Sequence, residues 1–353
     1  MSGDRSDHAG KSIVAQADAA AGVKSALARW VLHKRRALLA GVRPAAHDEA
    51  THAWDGRRRF AEDYVFAAMQ HGLGLLVRLE WLPGRASHRV WVMLLRDDAA
   101  WWLPPAQTLV TESRHDRWRV GGLHLDCLQP LQRWRVHFVG DVIATEGAPR
   151  RRRCELALEF DAAMEPFVPG VDDDPELVAR RVGEAAWDRE LAKAVRRSSQ
   201  RGYVQTGRLR GQAVLADEIV AIDADCVRTH SWGVRDWGAP EHAVQCLVRH
   251  GESITWIQRA QFPVLTYEGG FVVRDGEVRC VREITRAERI ADLHHLEIDD
   301  GRGRLQFVGP QRRAAALRVD GRGDFELALC GDGDTRALWV TQQRTLPRPP
   351  ARP

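Results

Sequence analysis

The stretch Arg228-Thr229-His230-Ser231-Trp232-Gly233-Val234-Arg235-Asp236-Trp237 is the chemically densest part of the chain. It holds two guanidinium groups, one imidazole, one carboxylate and two indoles. Arg228, His230 and Trp232 alternate, so in an extended segment they share one face. Gly233 then permits a tight bend, and Gly238-Ala239-Pro240 ends the unit. His230 and Asp236 are the candidates for moving a proton, and Arg228 and Arg235 for fixing an anionic or carbonyl group. Trp232 and Trp237 are candidate walls of an apolar pocket. A carboxylate in such a pocket keeps a raised pKa and can act as an acid. A structural reading stands beside the functional one. Arg235 and Asp236 can instead pair with strand neighbours while the indoles plug the end of a barrel, because buried polar clusters mark ion-pair networks as well as sites.

The stretch Tyr203-Val204-Gln205-Thr206-Gly207 precedes it. In an extended run Tyr203, Gln205 and Gly207 lie on one face, Val204 and Thr206 on the other. Tyr203 and Gln205 then either hydrogen-bond a ligand or pair across strands with nothing bound. His294-His295 carries less. Neighbours on a strand point to opposite faces, so the two do not share one ion and are read as surface or edge histidines. The chain has no G-x-S-x-G, Walker loop, G-x-G-x-x-G or H-E-x-x-H. On these grounds no metal, nucleotide or other cofactor is expected.

These residues need a scaffold, and the hydrophobic pattern describes one. From about Arg59, short apolar runs are punctuated by Pro83-Gly84, Asp97-Asp98, Pro104-Pro105 and Gly121-Gly122. Cys154, Leu156, Leu158 and Phe160 alternate with Glu155, Ala157 and Glu159, the period of a strand with one dry face. Pro166, Pro169 and Gly170 break the series. Asp173 or Asp174 then caps a helix with Pro175 at its first position, running to about Arg197. A second series of strands starts at Tyr203, with Asp-Gly turns such as Arg274-Asp275-Gly276-Glu277. Many short, regularly spaced strands predict a mainly β protein: two antiparallel barrel halves joined by a helix, hiding their edges and enclosing a cavity. The expected divisions are residues 1–20 without structure, 21–58 an N-terminal helix and connection, 59–165 a first β domain, 166–201 a linker and helix, 202–346 a second β domain, and 347–353 a flexible tail. In the N-terminal helix Val23, Leu27, Trp30, Val31 and Leu38 form an apolar stripe. Packing against a barrel is expected of it in preference to lying on a membrane surface.

Composition bounds the function. A chain of 353 residues is long enough for two cores, and thirteen Trp point to thick cores or an aromatic-lined cavity. The net charge is only +4, with acidic and basic residues interleaved, which argues against a nucleic-acid partner. Arg150-Arg151-Arg152-Arg153 reads as a solvated turn. The six cysteines are scattered without a C-x-x-C pair, which fits a reducing cytoplasm. Residues 1–16 lack the apolar core of a signal peptide, and no apolar run reaches the roughly 18 residues of a membrane span.

The two dense stretches also resemble a known pattern. Tyr203-Val204-Gln205-Thr206-Gly207 followed by Arg228 to Trp237 is similar to the signature of an uncharacterised bacterial family, a strand ending Q-x-G and then R-x-H-S-W-G-x-R-D-W. In the first half, Leu128-Gln129-Pro130-Leu131-Gln132-Arg133-Trp134-Arg135-Val136 resembles that family's P-L-x-R-W-R-V strand, and residues 60–95 resemble its opening strands. The family resembles the carotenoid 1,2-hydratase (hydroxyneurosporene synthase) and AttH-like superfamily, whose double-barrel plan fungal Diels–Alderase-type cyclases share. The resemblance spans most of residues 60–346. It implies two lipocalin-like (calycin-type) barrels and a ligand cavity, and it assigns no reaction. The expected function is metal-free acid–base chemistry, of lyase or isomerase type, on an isoprenoid-, polyketide- or steroid-like molecule. The alternatives are a non-catalytic carrier of an apolar ligand and a structural protein with a filled barrel. Oligomeric state is left open.

Overall fold

The computed structural model describes residues 22–30, 33, 43–97, 99–103, 118–146, 150–197, 199–234, 240–319, 323–332 and 334–344. Short β-rich runs separated by turns give antiparallel hairpins, and these assemble into two sheets. The first contains β1 (Phe60–Gln70), β2 (Leu73–Leu82), β3 (Ser87–Arg96), β4 (Ala100–Trp102), β5 (Trp118–Val120), β6 (Leu123–Gln129), β7 (Arg133–Ala144) and β8 (Arg151–Ala162). It also contains β9 (Arg201–Leu215) and β10 (Glu218–Val234). The order is β4-β3-β2-β1-β10-β9-β8-β7-β6-β5. β4 pairs with β7 as well as β3, through Trp101↔Ala144 and Trp102↔Ile143. The strands from β4 round to β7 thereby close into an eight-stranded barrel.

The second sheet contains β11 (His242–His250), β12 (Ser253–Gln261), β13 (Thr266–Arg274), β14 (Glu277–Cys280) and β15 (Glu283–Ile290). It continues through β16 (Leu293–Asp299), β17 (Arg304–Val319), β18 (Gly323–Asp332) and β19 (Thr335–Arg344). Its order is β14-β13-β12-β11-β19-β18-β17-β16-β15, an antiparallel half-barrel. The protein is therefore mainly β with two lipocalin-like halves, as its patterning predicts.

Alternation sorts the side chains into layers. In β8, Cys154, Leu156, Leu158 and Phe160 are buried in the first barrel while Glu155 faces solvent. Phe66, Trp134, Phe138 and Phe160, all 0% exposed, fill the barrel interior. The other face of its first strands presents Met69, Leu76, Trp91 and Met93 to Trp256, Phe271, Phe325 and Leu338 of the second sheet. Cys246, Val272, Phe307 and Trp339 line the far side of that sheet. The two halves thus share one apolar interface. An ion cluster borders it: Asp225 of β10, 0% exposed, faces Arg208 of β9 and Arg249 and Arg336 of the second sheet.

Several expectations need correction. A division between residues 201 and 202 separates strand series but not sheets. β9 and β10 pair with β8 and β1 and complete the first barrel, so the change of sheet falls between Val234 and His242. Helical residues 22–30 form α1, and the single linker helix is two, α2 (Pro175–Glu184) and α3 (Arg189–Arg197). Ala185 adopts an extended conformation, and the Asp188 carboxylate then caps a new start by accepting from the N–H groups of Glu190 and Leu191. Asp174 caps α2, with Pro175 behind it, as predicted. The N-terminal helical residues 22–30 meet α2 through Arg29–Glu176, but Val23, Leu27 and Trp30 are exposed rather than packed. His294 is not at the surface: it is buried against Trp339 inside the half-barrel. Among the described residues no helix is long and apolar enough to cross a membrane.

Candidate acid–base site at the covered end of the first barrel

Strand register builds the site. Across β1, β10 and β9, Tyr64 and Tyr203 flank His230, and Phe66 and Gln205 flank Arg228. Alternation turns these side chains into the barrel mouth. Gly207 allows β9 to lie close to β8, because a Cβ there would sit 2.1 Å from the Asp161 carbonyl oxygen. Gly233 has φ +111° and packs on the Ser199 carbonyl, which explains the glycine after Ser231-Trp232.

A strap formed by residues 43–57 covers the mouth, with a 3-10 turn at Ala46–Glu49. The Glu49 carboxylate accepts from Arg228 Nη2 at 2.6 and 2.8 Å and from the Leu131 N–H at 2.8 Å. The Glu49 carbonyl accepts from the Tyr64 hydroxyl. Arg228 is 0% exposed. It also donates to Gln205 Oε1 at 3.2 Å and to the Tyr203 hydroxyl at 2.7 Å, with its guanidinium 4.9 Å from the Trp134 ring centroid. Burial opposes its charge, but Tyr203 and Glu49 outweigh that and hold its pKa above the ordinary value. Gln205 is consumed by the protein too: its amide donates to the carbonyls of Leu131 and Met164.

The second half of the cluster is a carboxylate between two imidazoles. Glu62 Oε1 lies 3.0 Å from His230 Nε2 and 2.8 Å from His52 Nδ1, and Oε2 accepts from the His52 backbone N–H. Glu62 is 0% exposed. Burial pushes its carboxyl up, but the bonds to His230 and His52 overcome this and leave it below the usual carboxylate range. His230 is also 0% exposed, stacked on Tyr64 at 3.8 Å, and burial depresses its imidazole. It is therefore a neutral ring facing an ionised carboxylate. Its Nδ1 lies 3.4 Å from the Tyr203 hydroxyl. Burial raises the Tyr203 phenol and keeps it protonated. His52 stacks on Trp232 at 3.9 Å, and its side chain is 20% exposed, so it is where the chain of polar groups meets solvent. The path His52–Glu62–His230–Tyr203 can pass or hold a proton from the surface to the barrel mouth, and Arg228, which stays protonated, and Glu49 set the charge at its inner end.

Of the residues expected to act together, Tyr203, Gln205, Arg228, His230 and Trp232 converge here, while Arg235, Asp236 and Trp237 lie outside the described residues. Glu49, His52, Glu62 and Tyr64 were missed. Glu62 carries a readable signal: Phe60, Glu62, Tyr64 and Phe66 share the inward face of one strand, so a carboxylate interrupts an aromatic row. Glu49 and His52 lie in an aperiodic segment that carries none.

No curated protein matches the chain. Among solved structures it is similar to CghA with Sch210972, at 12% identity over 82% of this chain and 89% of that one, with TM-score 0.43. It is also similar to a putative AttH from Nitrosomonas europaea, at 10% identity over 84% of this chain and 94% of that one, with TM-score 0.39. Kievitone hydratase from Nectria haematococca follows, at 10% identity over 80% of this chain and 87% of that one, with TM-score 0.41. Residues 45–341, from the strap to the last strand, match the model described as Domain of unknown function (DUF7064), and the chain belongs to that family.

Proposed function

We propose that this protein is an acid–base enzyme acting on an apolar small molecule at the strap-covered mouth of the first barrel. The observation that carries this is Glu62: a fully buried carboxylate shared by two imidazoles, one of which, His52, reaches solvent. Such a carboxylate orients the imidazole and stabilises its protonated form, as general acid–base catalysis requires. Proton exchange with the substrate takes place at His52, and His230 holds Glu62 from behind. Arg228 with Glu49, Tyr203 and Gln205 fixes the strap. Trp232, packed with Phe60, Tyr203 and Val234 and bordered by Trp81, offers the apolar wall. Because aromatic side chains fill the barrel interior, the substrate lies at the mouth. Arg235, Asp236 and Trp237 enter on residue type and position alone, as anchor, second acid and wall. The reaction class is lyase or isomerase, on an isoprenoid-, polyketide- or steroid-like compound, with no nucleic-acid partner. The cysteines are free thiols, which supports a cytoplasmic setting.

One observation favours a second reading. Gln205, Tyr203 and both terminal nitrogens of Arg228 are bonded to protein groups, which suits a non-catalytic carrier of the same apolar ligand. Exchange separates the two. The purified protein is incubated in D2O with the apolar extract of its source cells, and mass spectrometry follows deuterium entering carbon. The expected result is incorporation into one retained or released compound, falling about 100-fold or more in His52→Ala. A compound retained without exchange supports the carrier, and no compound at all defeats both readings.

A further inference from the structure

We propose that His52 Nδ1, Glu62 Oε1 and His230 Nε2 form a binding site for one first-row divalent cation of the Zn2+ type. This rests on the acid–base reading above for its location, and it replaces the imidazole by an ion-bound water as the group that meets the substrate. The three donor atoms lie within 4.8 Å of one another. Donors about 2.1 Å from one ion are roughly 3 to 3.4 Å apart. The two donor pairs that share Glu62 Oε1 stand at 2.8 and 3.0 Å and need a few tenths of an ångström of adjustment, while the two imidazole nitrogens, within 4.8 Å of each other, close by up to about 1.4 Å to take one ion. Two imidazoles and one carboxylate match a site that keeps a fourth position open, and the 20% exposure of the His52 side chain puts the cluster beside solvent.

Two further observations point to an ion. The first is charge. Three other buried carboxylates face guanidinium groups: Glu49 faces Arg228, Glu268 faces Arg181 and Arg259, and Asp225 faces Arg208, Arg249 and Arg336. Glu62, equally buried, is met among the described residues by two imidazoles and one backbone N–H and by no guanidinium, so a cation would supply positive charge there. The second is the far side of each ring. A histidine that binds a metal needs an acceptor for its other N–H. His52 Nε2 has Asp48 Oδ1 at 3.6 Å, and Asp48 is itself oriented by the Ala45 N–H. His230 Nδ1 has the Tyr203 hydroxyl at 3.4 Å. On binding, each ring proton moves from the nitrogen facing Glu62 to the nitrogen facing that acceptor.

The full chain, prepared without an affinity tag and stripped with chelator, is titrated with Zn2+ by calorimetry and with Co2+ by visible absorption. One ion per chain is expected, with a rise in Tm. Glu62→Gln and His52→Ala are expected to weaken binding at least 100-fold. Asp48→Asn, which leaves all three donors in place, is expected to weaken it by about 10-fold or more. Absence of one-to-one binding in the folded wild type overturns the proposal. So does unchanged affinity in Glu62→Gln and His52→Ala, which would assign the ion to other histidines. The deuterium assay keeps the two readings apart. Exchange that survives chelation but is lost in His52→Ala sinks the cation and leaves the acid–base site. Stoichiometric binding with no exchange sinks the enzyme and leaves the cation.

Discussion

Glu49→Ala is the most informative single change, because it strands a buried charge. Arg228 has no exposed surface, and Glu49 is 4% exposed. Once the carboxylate is removed, the guanidinium keeps Tyr203, Gln205 and the Trp134 face but no counter-charge. Leaving one partner of a buried pair typically costs about 3–5 kcal/mol, a factor of roughly 10² to 10⁴ in the folding equilibrium. The Leu131 N–H loses its acceptor as well. Against a total stability of about 5–15 kcal/mol, the change is large enough to read by urea denaturation. Relief has one route: the strap can lift and let water reach Arg228. The cost is then capped at the docking energy of residues 43–57, and hydrogen exchange registers the release there, above all at the backbone N–H of His52 that bonds Glu62. Glu49→Gln, which keeps volume and an acceptor, should fall between the two. Arg228→Met should cost less than Glu49→Ala, since Glu49 sits on a surface segment and can turn outward. The double variant Glu49→Leu with Arg228→Met should recover much of the loss. If Glu49→Ala stays within about 0.5 kcal/mol of wild type and residues 43–57 keep their protection, the strap is not held by this pair and the reasoning fails.

Asp225 gives a pH dependence. Arg249 and Arg208 hold its carboxyl below the ordinary value in spite of burial. Its stabilisation is therefore present above the unfolded value of about 3.9 and is lost as pH falls through the lower folded value. Asp225→Asn should cost about 3 kcal/mol at pH 7 and flatten the stability curve below pH 4 in urea titrations. An unchanged acid limb would show that the cluster does not couple the two halves. Gly207→Ala should destabilise by at least about 2 kcal/mol, because the new methyl group meets the Asp161 carbonyl; a Tm within a degree of wild type would refute the close approach of β8 and β9. Trp91→Ala removes a ring set edge-on to Phe325 at 4.8 Å and should cost about 3–5 kcal/mol. Limited proteolysis should then cut between Val234 and His242 first; unchanged stability would mean that the shared interface bears little of the fold.

The legible parts of this molecule are those with a local cause. Period-two alternation in β8 and the Asp174-Pro175 cap of α2 act over a few residues, and both appear as read. The assignment of β9 and β10 to the first barrel has no local cause. It depends on β1 pairing with β10 across some 170 residues, and neither strand's pattern names its partner. The helix break at Ala185 was hidden because the apolar stripe continues in phase through it. For the site, alternation correctly put Arg228, His230 and Trp232 on one face, yet the groups that give them their chemistry, Glu49, His52 and Glu62, come from a different part of the chain. Trp134 was visible as a resemblance, and its placement under Arg228 was not.

These pairings explain why the dense stretch has the residues it has. Read along β10, four side chains grip the segment from the strap into β1: Arg228 binds Glu49, His230 binds Glu62, Ser231 donates to Asp63 at 2.5 Å, and Trp232 stacks on His52. Gly233 then lets the strand pass the Ser199 carbonyl. A plug made only of packing would use apolar residues here, because a buried ion pair rarely outperforms them in stability. Four polar or aromatic grips on consecutive and alternate positions instead specify one register between β10 and the strap. The family match begins at residue 45 and so takes in nearly all of the strap, which agrees with the strap being part of the domain and not a connection leading to it. Whatever enters the mouth must therefore contend with Glu49 for Arg228 and with Trp232 for His52. On the proposed acid–base reading, catalysis and strap docking draw on the same side chains, so a variant that loosens the strap should change both together.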